Sequence, residues 1–161
     1  MQADSVVPGF FDVAVLMERR PGVTRWQPDV WTPVGLVAGE VARGQPGRPE
    51  LMPAVAGSER MLWRGFQLRL FRDEAESYYY TLVSPRPMAF VVMRRSDASL
   101  PVPVLVTPSF DEANAYSEGD DDVETVDMPA ELVQWLEAFV IENYVPEKRK
   151  KRKRRAWTEQ T

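Results

Sequence analysis

The chain contains no cysteine and no histidine. Those two absences exclude disulfides, thiolate nucleophiles, imidazole general bases, Cys/His zinc sites and cysteine-ligated iron–sulfur clusters. Catalysis would have to rest on carboxylates, Lys, Tyr or Ser, without the one side chain whose ordinary pKa lies near neutrality. Glycosidases work with two carboxylates, but the joint loss points away from an enzyme. No catalytic residue, cofactor or metal ligand is assigned. Also missing is any apolar run near the roughly 18 residues that a bilayer span needs. The opening MQADSVVPGFF carries no basic region ahead of a long apolar stretch, so a secretory signal is not expected. The expected setting is the cytoplasm, with no membrane contact.

What is present fits one domain. The 161 residues are 44% hydrophobic and 27% charged, a balance that supports a buried core. Fourteen prolines predict long or numerous loops. The net charge of −4 hides a split: residues 148–161 hold eight basic groups and one acid (+7), and the first 147 hold 12 basic and 23 acidic groups (−11). The expected organisation is a globular domain at 1–147 and a disordered basic tail at 148–161, because eight like charges repel one another.

Period-two alternation predicts a strand over FFDVAVLMER, with Phe11, Val13, Val15 and Met17 on one face. After a turn at Pro21-Gly22, DVWTPVGLVAG reads as a second strand, with Pro33 and Gly35 marking an edge or a bulge. Residues 39–58, dense in glycine and proline, read as a surface loop. MLWRGFQLRLFRDE alternates with Leu62, Phe66, Leu68 and Leu70 on one face. ESYYYTLVS, PMAFVVMRR and LPVPVLVTP read as three more strands. Ser109 and Glu112 form an S-x-x-E capping box ahead of a short helix that stops at Gly119. A second helix starts near Pro129, with Leu132, Val133, Leu136, Phe139 and Val140 on its apolar face. The predicted class is therefore α+β. A curled antiparallel meander of about six strands over 10–107, partly closed or barrel-like, is covered by the C-terminal helix. Val13, Val15, Phe66, Leu68, Val91 and Val104 should be buried.

Few stretches carry chemistry. The run EGDDDVETVD holds six carboxylates between Glu118 and Asp127. Its spacing does not match an EF-hand, and a solvated loop between two helices is the better reading. The three tyrosines Tyr78–Tyr80 invite a stacking platform for single strands. Their neighbours are not basic, so packing is preferred, with Tyr78 and Tyr80 on one face of a strand and Tyr79 on the other. ERRPGVTRW gathers Arg19, Arg20, Arg25 and Trp26 around a turn, and Arg and Trp are the residues enriched in interface hot spots. The basic run Lys148, Arg149, Lys150, Lys151, Arg152, Lys153, Arg154 and Arg155 could neutralise phosphates, but the body at −11 would be repelled by them. Docking on an acidic protein surface is preferred, nucleic acid being the alternative.

Several stretches together resemble the bacterial family known as domain of unknown function 3305. They are ERRP with RW and W-x-PVG, then FQLRLFRDEAESYYYTLVSPRPMAFVVMRR, VTPSFDEANAY, GDDDVETVDMP and LVQWLEAFVIENYVPEKRKKRKR. The resemblance implies a companion of formate dehydrogenase, since members' genes lie beside those of the molybdenum enzyme and its accessory proteins. It supplies no catalytic residues. A molybdopterin-guanine-dinucleotide biosynthesis role attached to some members does not fit, because no glycine-rich nucleotide loop is present. The tail is longer and more basic than the family's usual short ending. The expected function is that of a non-catalytic accessory or assembly protein, bound to a formate dehydrogenase or its maturation factors.

Overall fold

The computed structural model describes residues 9–95, 100–119 and 121–146; the predicted tail and its eight basic residues lie outside the described residues. Strand β1 (Phe10–Arg20) is the centre of the first sheet. Its Val13, Val15 and Met17 enter the main core, while Ala14 and Leu16 meet Leu62, Ala42 and Met52 in a smaller cluster on the opposite face. Burial on both sides explains the near-continuous apolar run VAVLM.

Strand β2 (Val30–Ala38) pairs with β1 alone. Leu16 faces Gly35 and Met17 faces Pro33, so Val34 is the extra residue of a bulge. Pro33 and Gly35 thus mark both an edge and a bulge, because neither an absent N–H nor an absent side chain suits a central ladder.

The stretch 39–58 is not simply a loop. It contains β3 (Pro49–Val55), joined to β4 (Ser58–Arg69) by a two-residue turn at Ala56-Gly57. Both turn residues have positive φ, 53° and 82°, as a type I′ hairpin requires. Strand β3 buries no side chain fully, so it carries no alternation that the sequence could display. In β4 a second bulge places Phe66 opposite Val13 and Trp63 opposite Val15. Gly65, at φ +91°, makes that bulge. Trp63 therefore shares the face of Phe66 and Leu68, and Leu62, expected beside them, points to the opposite cluster.

The expected fourth strand is a helix, α1 (Ala75–Val83), entered through a short turn at Arg72–Glu74. Ala75, Tyr78 and Leu82 lie three and four apart and face the main core. Tertiary packing of that stripe overrides the strand preference of three tyrosines. Tyr78 is buried, whereas Tyr79 and Tyr80 are both exposed, contrary to the alternation expected.

The second sheet has the order β6-β5-β7, all antiparallel. Strand β5 (Met88–Arg94) lies between β6 (Val102–Thr107) and β7 (Asp122–Asp127). The acidic run is thus largely a strand and not a solvated loop. Its Val126 enters the core, and Arg86 and Arg95 of the β5 side pair with Asp127 and Asp122. In β6 a bulge leaves Val104 half-buried between paired Pro103 and Leu105, and Val106 takes the core position expected of Val104. Phe66 is likewise half-buried, packed on the core's flank.

The class is α+β as predicted, but among the described residues seven strands form two antiparallel sheets of four and three, and neither closes. Both sheets and α1 contribute to one core, capped by α3 (Ala130–Asn143). Trp135 is buried against Phe11 with ring centroids 5.3 Å apart. Helix α2 (Phe110–Glu118) begins at Ser109, whose hydroxyl oxygen accepts the Glu112 N–H at 3.1 Å, and ends at Gly119, as the capping box predicts. Among the described residues no helix is long and apolar enough to cross a membrane.

Candidate functional site

Two surfaces stand out. The first is the loop between β1 and β2, residues 21–29, which holds the predicted Arg/Trp group. Its backbone is tied to its own side chains: the Gly22 N–H donates to Asp29 Oδ1 at 3.2 Å and the Val23 N–H to Gln27 Oε1 at 3.1 Å. A turn from Thr24 to Gln27, closed by a 3.1 Å backbone bond, carries Arg25 and Trp26 at its two corners. A Cβ on Gly22 would come within 2.1 Å of the Gln27 carbonyl oxygen, so only glycine permits this closure.

The result is a hydrogen-bonded loop with Val23, Arg25 and Trp26 at its tip. Val23 is 91% and Trp26 85% exposed, and the Arg25 guanidinium sits 5.8 Å from the Trp26 ring. Trp26 does not fold back over the sheet edge. Arg19 is anchored below the tip by Asp29 at 3.6 Å and Glu59 at 3.2 Å. The structure therefore splits the predicted group: Arg19 braces the loop, while Arg20, Arg25 and Trp26 are exposed to solvent.

The second surface was not foreseen from the sequence. Residues of α1, α2 and the second sheet line a cleft of about 730 Å³. Its apolar walls are Tyr80, Met88, Phe90 and Phe110, the last two in edge-to-face contact at 6.0 Å. Asp73, Glu74, Glu76 and Asp111 line it as well. Polar ties join α1 to the start of α2 beside the cleft. Thr81 donates to the Pro108 carbonyl at 2.7 Å, and Ser109 Oγ lies 3.0 Å from Glu74 Oε2 and 3.1 Å from Ser77 Oγ. Arg86, the one cation on the lining, is engaged by Asp127 in a two-pronged pair that holds this carboxyl below its usual range.

With this geometry in place, comparison with known proteins decides the affiliation. The family model described as "Protein of unknown function (DUF3305)" matches residues 12–154. The chain belongs to this family. No curated protein and no solved structure matches it. The DUF3305 match begins within β1, takes in both surfaces just described, and runs on through Arg154 into the basic run.

Neither surface presents a metal centre: among the described residues no group of three or more acidic side chains is arranged to hold an ion. The carboxylates of β7 are spread along an edge strand, and those closest to β5 are taken by arginines.

Proposed function

We propose that this DUF3305 chain is a non-catalytic accessory protein that binds a partner protein through the β1–β2 loop. Trp26 is the anchor, and Arg20 and Arg25 favour an acidic partner surface. The observation that carries this reading is the exposure of Trp26 on a loop closed by its own hydrogen bonds. Leaving an indole and a valine in water is unfavourable by the transfer energy of their apolar area, roughly 25 cal/mol per Å², and a loop free to rearrange would cover them. A rigid loop with an outward aromatic loses little conformational freedom on binding, which is the property of a hot spot.

The partner we infer is formate dehydrogenase, or a factor that matures it, as the family resemblance implies. The basic run Lys148 to Arg155 would add long-range attraction to an acidic surface. The test is affinity capture with the full chain and with Trp26→Ala. Capture of the dehydrogenase or a maturation factor is expected, weakened about 30-fold in the variant, the effect of a hot spot of roughly 2 kcal/mol. Equal capture by both proteins, or recovery of nucleic acid and ribosomes alone, would overturn the proposal.

A further inference from the structure

The carboxylates that line the α1/α2 cleft are among those of the domain that no arginine takes up. Asp12, Glu18, Asp29, Glu50, Glu59, Asp121, Asp122 and Asp127 each face an arginine within 4 Å. Asp73, Glu74, Glu76 and Asp111 face none among the described residues. They surround an aromatic floor on which Tyr80 is 54% and Phe110 59% exposed. Acids beside aromatic faces suit a cation with an aliphatic stem: the charge meets carboxylates and ring quadrupoles, and the stem lies on the rings.

Such a segment leaves the fold one ring away. The chain exits α3 at Tyr144, whose ring stacks on Tyr79 at 4.9 Å, and Tyr79 meets Tyr80 of the cleft edge-on at 5.6 Å. Lys148 follows Tyr144 by four residues and Arg155 by eleven. Fully extended, these spans reach roughly 14 Å and 38 Å. The basic run is thus within reach of the cleft.

We propose that the cleft between α1 and α2 is the binding site for the same chain's own basic segment, Lys148–Arg155. The acidic run at residues 118–127 is the rival site within the chain, but arginine pairs satisfy much of it. Held by a short connection, the segment has an effective concentration in the millimolar range, so weak screened contacts suffice to keep it docked at low salt. A docked segment is withheld from phosphates and from weakly acidic surfaces; only a partner carrying more negative charge than the cleft displaces it. The inference does not rest on the partner-binding reading, because it concerns the isolated chain.

Composition supplies the test. The chain's four lysines, Lys148, Lys150, Lys151 and Lys153, all lie in this segment. A zero-length carbodiimide couples amines to carboxylates in direct contact, so side-chain amide cross-links report where the segment sits. The full chain is cross-linked as an equal mixture of unlabelled and uniformly nitrogen-15-labelled protein, and the joined peptides are mapped. Expected are links from these lysines to Glu76, Asp73 or Asp111 within one isotopic species, with yield falling several-fold between roughly 0.05 and 0.5 M salt as screening shortens. In Glu76→Gln/Asp111→Asn, two exposed positions, these links fall several-fold while far-UV circular dichroism is unchanged. Links spread evenly over Glu40, Glu124 and the other exposed acids, links only between labelled and unlabelled chains, or no links at low salt would each overturn the proposal.

Discussion

Replacing Tyr78 by Phe deletes one oxygen from the core and leaves the ring in place. Tyr78 is 1% exposed, and its ring meets Phe139 edge-on at 5.8 Å, a contact the variant keeps. What disappears is the acceptor for the Phe71 N–H, 3.0 Å from Tyr78 Oη. A hydrogen bond of this kind contributes about 0.5–1.5 kcal/mol net, and a buried donor left without a partner costs about 1–3. Phe71 is half-exposed, so water can reach its amide, and the expected loss is about 1 kcal/mol at pH 7, read from urea titrations followed by tryptophan fluorescence. The alkaline limb is more diagnostic. Burial pushes the Tyr78 phenol up from its ordinary value of 10.0 to about 12. Between these values the folded state binds more protons than the unfolded state, so wild-type stability is full below about pH 10 and declines as pH rises towards 12. The Phe variant lacks that decline. The stability gap between wild type and Tyr78→Phe should therefore narrow steadily above pH 10; a gap that holds constant or widens refutes the burial argument. Tyr80→Phe, at an exposed position of the same helix, should stay within about 0.5 kcal/mol of wild type. Equal costs at 78 and 80 would contradict the helical placement and restore the strand.

Gly65→Ala should destabilise by about 3 kcal/mol, since its φ of +91° is combined with a Cβ only 2.8 Å from the Gly44 carbonyl oxygen. Gly57→Ala, at φ +82° with nothing within 4 Å, should cost only about 1 kcal/mol, and a thermal melt separates the two. Trp26→Ala should leave the urea midpoint unchanged while weakening partner capture; a large stability loss would mean that the indole packs where the structure leaves it exposed. Ending the chain after Glu147 should preserve the melting temperature and weaken partner binding at low salt only, the difference vanishing near 0.5 M as the Debye length shrinks. In gel shifts the full chain should show no salt slope of roughly −6 to −7, the value that eight phosphate contacts would impose.

Where a local signal and a tertiary demand agree, the elements are legible in the residues. The capping box at Ser109 and Glu112, the apolar stripe of α3 and the alternation of β1 each express one periodicity against one core. The misread elements share a physical cause. Strand β3 buries nothing fully and so has no alternation to show, and its partner strand supplies the hydrogen bonds that define it. Strand β7 hides among carboxylates because it is an edge, where charge on the outer side keeps a strand from pairing with another chain. Helix α1 looks like a strand because three tyrosines are strand formers, and only the meeting of Ala75, Tyr78 and Leu82 with the core selects the 3.6-residue period. Of the candidate sites, the Arg/Trp loop was visible from composition alone. The cleft was not, since its walls come from positions 73 to 125, brought together by the second sheet.

Charge shows how the two surfaces are related. An acidic body with a basic appendage is electrostatically unbalanced unless some of its carboxylates are neutralised in place. The structure does this selectively: Arg19, Arg43, Arg60, Arg64, Arg86, Arg94 and Arg95 take the carboxylates along the two sheets. Those pairs are exposed or half-exposed and contribute little stability each, so their main effect is on the pattern of field left over. Among what remains are a positive region, Arg20 and Arg25 beside Trp26, and a negative one, the acids of the α1/α2 cleft. A basic segment is drawn to the second region and repelled from the first. An acidic partner, approaching the loop, meets the opposite field and competes with the cleft for the same eight cations. Binding at the loop and release of the segment are then favoured by one and the same ligand property, its negative charge. A neutral surface that happened to accommodate Trp26 would gain only the anchor. Discrimination of this kind is lost in Glu76→Gln/Asp111→Asn, where the segment is free beforehand. That variant should bind the acidic partner more tightly than wild type at low salt and equally at high salt. If its affinity instead falls, the cleft contacts the partner directly and the competition described here does not operate.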